Sequence, residues 1–148
     1  SDLNFCLEGG CQLATSRGEI IEKLEFTEFD LSLIKPKNVG ISAKEAYTKF
    51  SALQNKPNLN VTGKWKKETE NSSSQLTAHS SLLHNDLEIA VINDYEELQA
   101  IKKAYPKSIM SGSGSTFFVL EEKIQPINDN FWIKTGLKSI PYGICEES

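Results

Sequence analysis

Residues 108–120 read SIMSGSGSTFFVL, and this stretch carries the clearest indication of the fold. Its two ends, Ser108–Met110 and Thr116–Leu120, are short apolar runs of the kind that form β-strands. The residues between them are glycine and serine, so the stretch favours a tight turn joining two strands. Gly112 and Gly114 also have the spacing of loops whose backbone N–H groups approach a phosphate, although the Lys-Ser/Thr pair of a P-loop is absent and no helix follows.

A helix is predicted upstream of this turn, beginning after Ser42. Ser42 and Glu45 form the S-x-x-E pattern of a capping box, in which each side chain accepts a hydrogen bond from the other residue's backbone N–H. Apolar residues then recur at intervals of three and four, as on one buried helix face: Ala43, Ala46, Tyr47, Phe50 and Leu53. On spacing alone, Tyr47 is therefore predicted to be a core residue.

A second capping pattern, Asn85 with Glu88, predicts another helix start before the glycine-rich turn. Asp94 with Glu97 offers a further start a few residues later. The region is therefore predicted to form two consecutive helices, or one kinked helix, that end before Pro106.

Short strands are predicted on both sides of these helices, because apolar and β-branched residues alternate there with turn-forming residues. The segments are Gln12–Thr15, Glu19–Phe26, Asp30–Ile34 and Phe131–Thr135, with a coil or terminal strand at Ile140–Ile144. Pro36 is expected to close the third segment, since proline cannot continue a strand ladder. Residues 56–81 show no periodicity and predict a long surface connection. The order of elements predicts an α+β sandwich with helices on one face of a mainly antiparallel sheet.

The 148 residues suffice for one ordinary domain or for a large piece of a two-domain protein. The composition, 39% hydrophobic and 24% charged, is that of a folded soluble protein. A formal net charge of −4 argues against broad electrostatic binding to nucleic acid or to an anionic membrane. No apolar run approaches the roughly 20 residues of a membrane-spanning helix, and the N-terminus lacks a leader pattern. The 3 cysteines leave one unpaired in any disulfide framework, so a cytoplasmic location is predicted.

Cys6, Cys11, His79 and His84 are the potential metal ligands of the chain. They form two pairs with four residues between the members, at the wide end of the C-x2-4-C spacing of structural zinc sites, and the His pair straddles a loop end. No metal site is therefore predicted, and the cysteines are expected to be small buried hydrophobic residues.

Four blocks of sequence, in order along the chain, resemble those of a known family. Residues 1–19 resemble the run G-S-D-V-P-F-x-x-x-G-G…A-x-G-R-G-E, and residues 36–47 resemble P…V-S-T-x-x-A-Y. Residues 84–88, HNDLE, resemble N-D-L-E, and residues 110–118 resemble M-T/S-G-S-G-S-x-x-F. On these blocks the chain is similar to the 4-diphosphocytidyl-2-C-methyl-D-erythritol kinase family, within the superfamily of galactokinase, homoserine kinase, mevalonate kinase and phosphomevalonate kinase.

The resemblance implies a domain organisation. Residues 20–135 would be the C-terminal domain of such a kinase, a ferredoxin-like sandwich. Residues 1–19 would be a remnant of the N-terminal kinase domain, and residues 136–148 a tail that returns to it. The chain opens without Met and lacks two features of the family's N-terminal half, the catalytic lysine and the P-x-x-x-G-L-G-G-G-S-S loop over the ATP phosphates. The resemblance therefore implies a fragment that is nearly inactive alone.

The resemblance also implies an activity and its residues. The family uses ATP and Mg²⁺ to phosphorylate the 2-hydroxyl of a cytidine diphosphate-linked methylerythritol, in the non-mevalonate route to isoprenoids. Asp2 would correspond to the catalytic base, and Tyr47 to the aromatic residue that lies against the cytosine ring. Ser42 and Ala43 belong to the substrate-binding block, where Ala43 replaces the family's Thr, so that a hydroxyl contact is lost or passes to Ser42.

In the family, the glycine-rich block packs beside the ATP phosphate loop and supports it. The corresponding residues here are Gly112, Ser113, Gly114 and Ser115. Two departures accompany the match: Asn4 stands where the family usually has Pro, and Glu121–Asn130 is shorter than the family's helical segment before the last strand. An incomplete helical layer is expected there.

Two other functions stay open at the level of sequence. The first is a kinase of the same superfamily that acts on another small alcohol, such as homoserine or mevalonate. The second is a non-catalytic ferredoxin-like binding module, which composition and element order permit equally. The two ends of the chain are expected to be disordered or to pack against another copy, because Phe5, Leu7 and Leu13 otherwise lack apolar partners.

Overall fold

The computed structural model describes residues 2–16, 18–53 and 83–143. The helices are α1 (Asp2–Glu8), α2 (Ala43–Ala52), α3 (Asp86–Val91) and α4 (Glu96–Ala104), with a 3₁₀ turn, Ile92–Asp94, between α3 and α4. The strands are β1 (Gln12–Thr15), β2 (Ile20–Lys23), β3 (Asp30–Pro36), β4 (Ile109–Met110), β5 (Phe117–Val119) and β6 (Phe131–Lys138). The predicted pair of consecutive helices is confirmed, and the predicted connection at residues 56–81 lies outside the described residues.

The main sheet has the strand order β4-β5-β3-β6, and each neighbouring pair is antiparallel. β3 and β4 therefore run in the same direction with β5 between them, and the connection from β3 to β4 carries α2, α3 and α4. This is the strand order of a ferredoxin-like sandwich. The other connection, residues 120–130, contains no helix, as the shortness of that segment indicated.

Buried and accessible residues alternate along β3, which explains why the helices cover one face of the sheet. Ser32, Ile34 and Pro36 are buried, whereas Leu31 and Leu33 between them stay partly accessible. Because successive strand residues point to opposite faces, the buried set lies on a single face of the sheet.

The hydrophobic core lies between this face and the helices. Ile34 is the cross-strand partner of Phe117, and both side chains are fully buried. The helices contribute further buried apolar residues to the same cluster: Ala46, Val91, Leu98 and Ile101. Removing this apolar surface from water supplies the main driving force for packing the two layers. The predicted α+β class, with helices on one face of the sheet, is confirmed.

Several predicted strand boundaries are wrong. β2 covers only Ile20–Lys23 of the predicted Glu19–Phe26. β3 continues past the predicted Ile34 to Pro36, which pairs with Phe131. The expectation that Pro36 closes this segment is confirmed, since it is the last residue of the strand. β6 continues to Lys138, beyond the predicted end at Thr135.

The N-terminal segment forms a hairpin outside the main sheet. β1 and β2 pair antiparallel with each other and are preceded by α1, a helix that the sequence pattern did not predict. This region lies against the end of the described chain, since a Cβ added to Gly143 would be 2.3 Å from the carbonyl oxygen of Leu7. Residues 140–143 form no strand. The division into residues 1–19, 20–135 and 136–148 stays a prediction.

Candidate functional site

The glycine-rich stretch forms the connection between β4 and β5. The backbone N–H of Ser111 donates to the carbonyl of Thr116 at 2.8 Å, and that of Gly114 donates to the carbonyl of Ser111 at 3.1 Å. Gly112 and Gly114 have φ angles of 57° and 99°, in the region that glycine adopts at little cost. The predicted tight turn between two strands is confirmed. Residues 111–116 are called the glycine loop below.

The second half of the glycine loop packs against the segment between β3 and α2. The Ser115 hydroxyl is buried and donates to the carbonyl of Val39 at 2.5 Å. A Cβ added to Gly114 would lie 2.8 Å from the Met110 Sδ atom and 3.1 Å from the Ile41 Cδ1 atom. The backbone at Gly114 therefore fits closely between these side chains. This contact places the start of α2, with Ser42 and Ala43, next to the glycine loop.

The first half of the glycine loop is tied to the start of α3 by Asn85. The Asn85 Oδ1 atom accepts from the N–H of Leu87 at 2.9 Å and so caps the helix, as predicted. The Nδ2 atom of the same side chain donates to the carbonyls of Met110, at 2.6 Å, and Gly112, at 2.7 Å. The sequence pattern identified the cap but not the bonds to Met110, at the end of β4, and to Gly112, in the glycine loop.

Glu88 does not complete the predicted capping box. Its Oε2 atom instead accepts from the backbone N–H of Met110 at 2.8 Å, and its Oε1 atom lies 3.0 Å from Lys102 Nζ. Lys102 also donates to the carbonyl of Ser108. The carboxylate therefore holds β4 rather than its own helix terminus. Apart from the capping pattern, the N-D-L-E block was the sequence signal that set Asn85 and Glu88 apart.

A pocket of about 370 Å³ lies between the start of α3 and the glycine loop. It is bordered by His84, Asn85 and Asp86 on one side and by Ser111 and Gly112 on the other. His84 Nε2 lies 3.4 Å from Asp86 Oδ1. A Cβ added to Gly112 would meet no atom within 4 Å, so the space in the direction of a side chain is open.

Tyr47 lies on α2, one turn beyond the residues that adjoin the glycine loop. Its side chain is 60% exposed, so the prediction of a core residue from spacing is wrong. Ala46 is the buried residue of that helix. An exposed ring is accessible for stacking, but its contact with a cytosine ring stays a prediction.

The start of α2 carries a charge cluster. Ser42 accepts from the N–H of Glu45 at 3.1 Å, which confirms the cap, while the Glu45 carboxylate accepts from Lys49 Nζ and the Tyr95 hydroxyl, each at 2.7 Å. Lys49 also lies 2.8 Å from Asp94, so the prediction of Asp94 as a helix cap is wrong.

The hydrogen bonds of this cluster shift the pKa values of its members. The hydrogen bond from Lys49, followed by that from Tyr95, lowers the pKa of Glu45 from its ordinary 4.5. The bonds to Asp94 and Glu45 raise the pKa of Lys49, and the bond to Glu45 raises that of Tyr95. The cluster joins α2 to the residues that precede α4.

Asp2 is the first residue of α1, which lies outside the main sheet. None of the described contacts of the glycine loop comes from α1. The catalytic role of Asp2 therefore stays a prediction.

The described residues contain no group of three or more His, Cys, Asp and Glu side chains that could hold a metal ion. Cys6 is exposed, so the expectation of a buried residue is wrong there, whereas burial raises the pKa of the half-buried Cys11 thiol. His79 and Cys145 lie outside the described residues. Among the helices of the described ranges, none is long and apolar enough to cross a membrane.

Comparisons with known proteins find relatives but no matching family model. The 4-diphosphocytidyl-2-C-methyl-D-erythritol kinase of Thermoanaerobacter pseudethanolicus is 32% identical, over 86% of this chain and 44% of the relative. The protein of the same name from Trichodesmium erythraeum is 32% identical, over 82% of this chain and 44% of the relative. The chain thus spans less than half the length of these curated relatives.

A solved structure shows the same fold. The crystal structure of a 4-(cytidine 5'-diphospho)-2C-methyl-D-erythritol kinase matches with a TM-score of 0.57 and 21% sequence identity. The match covers 82% of this chain and 44% of that chain. The fold that the sequence resemblance implied is therefore confirmed.

We predict that the two loop glycines differ in their tolerance of alanine. Gly114→Ala should lower the free energy of unfolding by more than about 2 kcal/mol, because the new Cβ meets buried side chains at a positive φ. Gly112→Ala is the matched control and should cost only about 1 kcal/mol, since its Cβ enters open space. Urea unfolding measures both values, and equal losses would contradict the packing described for Gly114.

We also predict a pH-dependent contribution from Glu45. Because its native pKa is lowered, its stabilising bonds are present above the ordinary value and are lost as the pH falls through the lowered one. Glu45→Gln should therefore lower the melting temperature at pH 7, with the difference from wild type shrinking below pH 4.5, the ordinary pKa. Glu121→Gln, at an exposed carboxylate, should show no such trend. A difference for Glu45→Gln that is independent of pH would refute the assignment.

Proposed function

We propose, from the homology of this chain to the 4-diphosphocytidyl-2-C-methyl-D-erythritol kinases, that it is the C-terminal part of such an enzyme. The parent protein would transfer a phosphoryl group from ATP to the 2-hydroxyl of a cytidine diphosphate-linked methylerythritol, in isoprenoid biosynthesis. The observation that carries the proposal is identity of 32% to a kinase of that name over 86% of the chain.

The geometry supports a role in positioning rather than a complete active site. Phosphoryl transfer depends mainly on placing the reactants and stabilising charge, so several separate segments must meet at the substrate. The main sheet supplies two of these segments, the glycine loop and the start of α2, and it joins them through Ser115 and Val39. The sequence contains neither the family's glycine-rich loop over the ATP phosphates nor the family's catalytic lysine. We therefore propose that the 148 residues alone have little activity.

In this proposal Asp2 is the catalytic base. Its carboxylate would accept the proton of the substrate hydroxyl as that oxygen attacks the terminal phosphorus of ATP, and ADP would leave. Tyr47 would stack on the cytosine ring, with Ser42 and Ala43 beside the substrate. The exposure of the Tyr47 ring supports its part in this assignment.

The loop residues Gly112, Ser113, Gly114 and Ser115 would support the ATP phosphate region. Mg²⁺ is the metal that the family resemblance implies, but the described residues offer no cluster that fits it. We therefore propose that Mg²⁺ would arrive with the ATP phosphates, as is common for this ion. No step is assigned to a metal-binding residue of this chain. The cytoplasm stays the predicted location.

The exposed apolar residues near the N-terminus support a proposed interface. Several large hydrophobic side chains are exposed here: Leu3, Phe5 and Leu7 of α1, Ile20 of β2, and Tyr142. We propose that residues 1–19 and 136–148 pack against the N-terminal domain in the parent protein. In the 148-residue chain the same surface would associate with a second copy.

We predict that substrate-dependent ADP release will require Asp2. The protein translated from the complete reading frame that encodes residues 1–148 should release ADP with ATP and 4-diphosphocytidyl-2-C-methylerythritol. Asp2→Asn should lower kcat by about a hundredfold or more, because the proton acceptor is lost. Asp129→Asn, at an exposed loop position, is the control and should be fully active.

The acceptors homoserine and mevalonate complete that assay. Turnover with either one, and none with the cytidine substrate, would assign the chain to another kinase of the superfamily. No ATP turnover with any acceptor would favour the non-catalytic binding module. Equal activity of Asp2→Asn and wild type would remove Asp2 from the mechanism.

We also predict concentration-dependent self-association of the 148-residue chain in sedimentation velocity. Leu3→Glu should shift the chain toward monomer, because Leu3 is 67% exposed on the proposed surface. Ile89→Glu, at an exposed apolar site on α3, should leave the association unchanged. A wild-type chain that is monomeric at all concentrations would rule out the proposed dimer.

A further inference from the structure

α2 is held only weakly by apolar packing. Ala46 is its one buried residue, and a methyl group has no long side chain that interlocks with a neighbouring helix. The segment that leads into the helix is anchored by the buried residues Val39 and Ile41. That anchor lies at one end, so it leaves the rotation of α2 about its own axis to be fixed by other contacts.

The charge cluster on one flank of α2 supplies such contacts. The Glu45 carboxylate accepts from the Tyr95 hydroxyl and from Lys49 Nζ, each at 2.7 Å. Lys49 Nζ also lies 2.8 Å from Asp94 Oδ2 and 5.4 Å from the centre of the Tyr95 ring. Two residues of α2 are thus joined to two consecutive residues before α4. A network of several bonds restricts geometry more than a single surface ion pair does.

Tyr95 gives this cluster a fixed reference point. Its ring packs against the hydrophobic core, and its backbone carbonyl accepts from the N–H of Gln99 at 3.2 Å. Gln99 belongs to α4, which is itself held by the buried residues Leu98 and Ile101. The core therefore sets the position of the Tyr95 hydroxyl, and the hydroxyl in turn holds Glu45.

The exposed ring of Tyr47 lies on another side of the same helix. Glu45 and Lys49 are four residues apart and share a face, whereas Tyr47 is two residues from each, about 200° away at about 100° per residue. Both sides turn together when the helix rotates. A rotation of about 20° would carry an atom about 6 Å from the helix axis through about 2 Å. Such a shift takes a ring out of register with a flat partner.

We propose that Tyr95 is a positioning residue for a nucleobase: through Glu45 it sets the rotation of α2, and thereby the direction of the Tyr47 ring. The inference rests on the proposed function, in which Tyr47 stacks on the cytosine ring of the substrate. It adds the group that aims this ring. Tyr95 acts through the helix and does not itself touch the substrate.

The first measurement follows α2 in the ¹⁵N-labelled 148-residue chain, by residual dipolar couplings of the backbone amides. Tyr95→Phe removes the hydroxyl and keeps the ring, so the couplings of α2 should change while those of β3 and β6 stay as in wild type. Lys49→Met removes the bonds to Glu45 and Asp94 and should change the same couplings, so the result does not depend on one variant. Unchanged α2 couplings in Tyr95→Phe would overturn the inference.

The second measurement compares KM with kcat in the protein translated from the complete reading frame. Tyr95→Phe should raise the KM for the cytidine substrate about fivefold, as expected when part of one stacking contact is lost, with kcat and the KM for ATP unchanged. Tyr105→Phe is the matched control, because its hydroxyl bonds to the backbone of Gln125 and has no link to α2. It should leave both KM values as in wild type.

Tyr47→Ala completes a double-mutant cycle with Tyr95→Phe. Because Tyr95 acts through Tyr47, adding Tyr95→Phe to Tyr47→Ala should raise the KM for the cytidine substrate no further. Additive effects of the two substitutions, or a wild-type KM in Tyr95→Phe alone, would overturn the inference. Absence of turnover by the wild-type protein with the cytidine substrate would instead reject the proposed function, and the α2 couplings would still decide whether Tyr95 orients the helix.

Discussion

The structure depends on the position of β3 between β5 and β6. Its buried residue Ile34 faces Phe117 on one side and Ile133 on the other, and the helices pack over this row. Because β3 and β5 are antiparallel, the last residues of β3 and the first residues of β5 lie at the same end of the sheet. The segment leaving β3 and the loop entering β5 must therefore meet. The contact between Val39 and Ser115 follows from this topology.

Two carboxylates near that end of the sheet do not cap their own helices, although the sequence pattern predicts that they do. Glu45 and Glu88 each stand three residues after a cap, yet one binds Lys49 and Tyr95 and the other binds the N–H of Met110. A carboxylate gains more from a charged or partly buried donor than from a helix terminus that water can also satisfy. These choices tie α2, α3 and α4 to each other and to β4.

The proposed function rests on the similarity of the chain to the kinases, and the geometry is that of a part that positions two segments against each other. The main sheet brings the glycine loop and the start of α2 together, whereas α1 with Asp2 lies outside that sheet. A reaction that depends on positioning can distribute its groups over several segments, provided that rigid elements carry them. In this chain the rigid element is the sheet, and the loop's bonds to Asn85 and Val39 fix its shape.

Sequence alone determined the order of elements from β1 onward, the helix starts at Ser42 and Asn85, the turn between β4 and β5, and the similarity to the kinases. Each of these depends on residues close together in the chain, through a cap, an apolar period or a short motif. The tertiary structure alone decided that Tyr47 is exposed, that Glu88 binds Met110, and that Asn85 holds the glycine loop. Those outcomes depend on which distant segment lies opposite each side chain. The strand pairing decides this, whereas a local sequence pattern contains no information about distant partners.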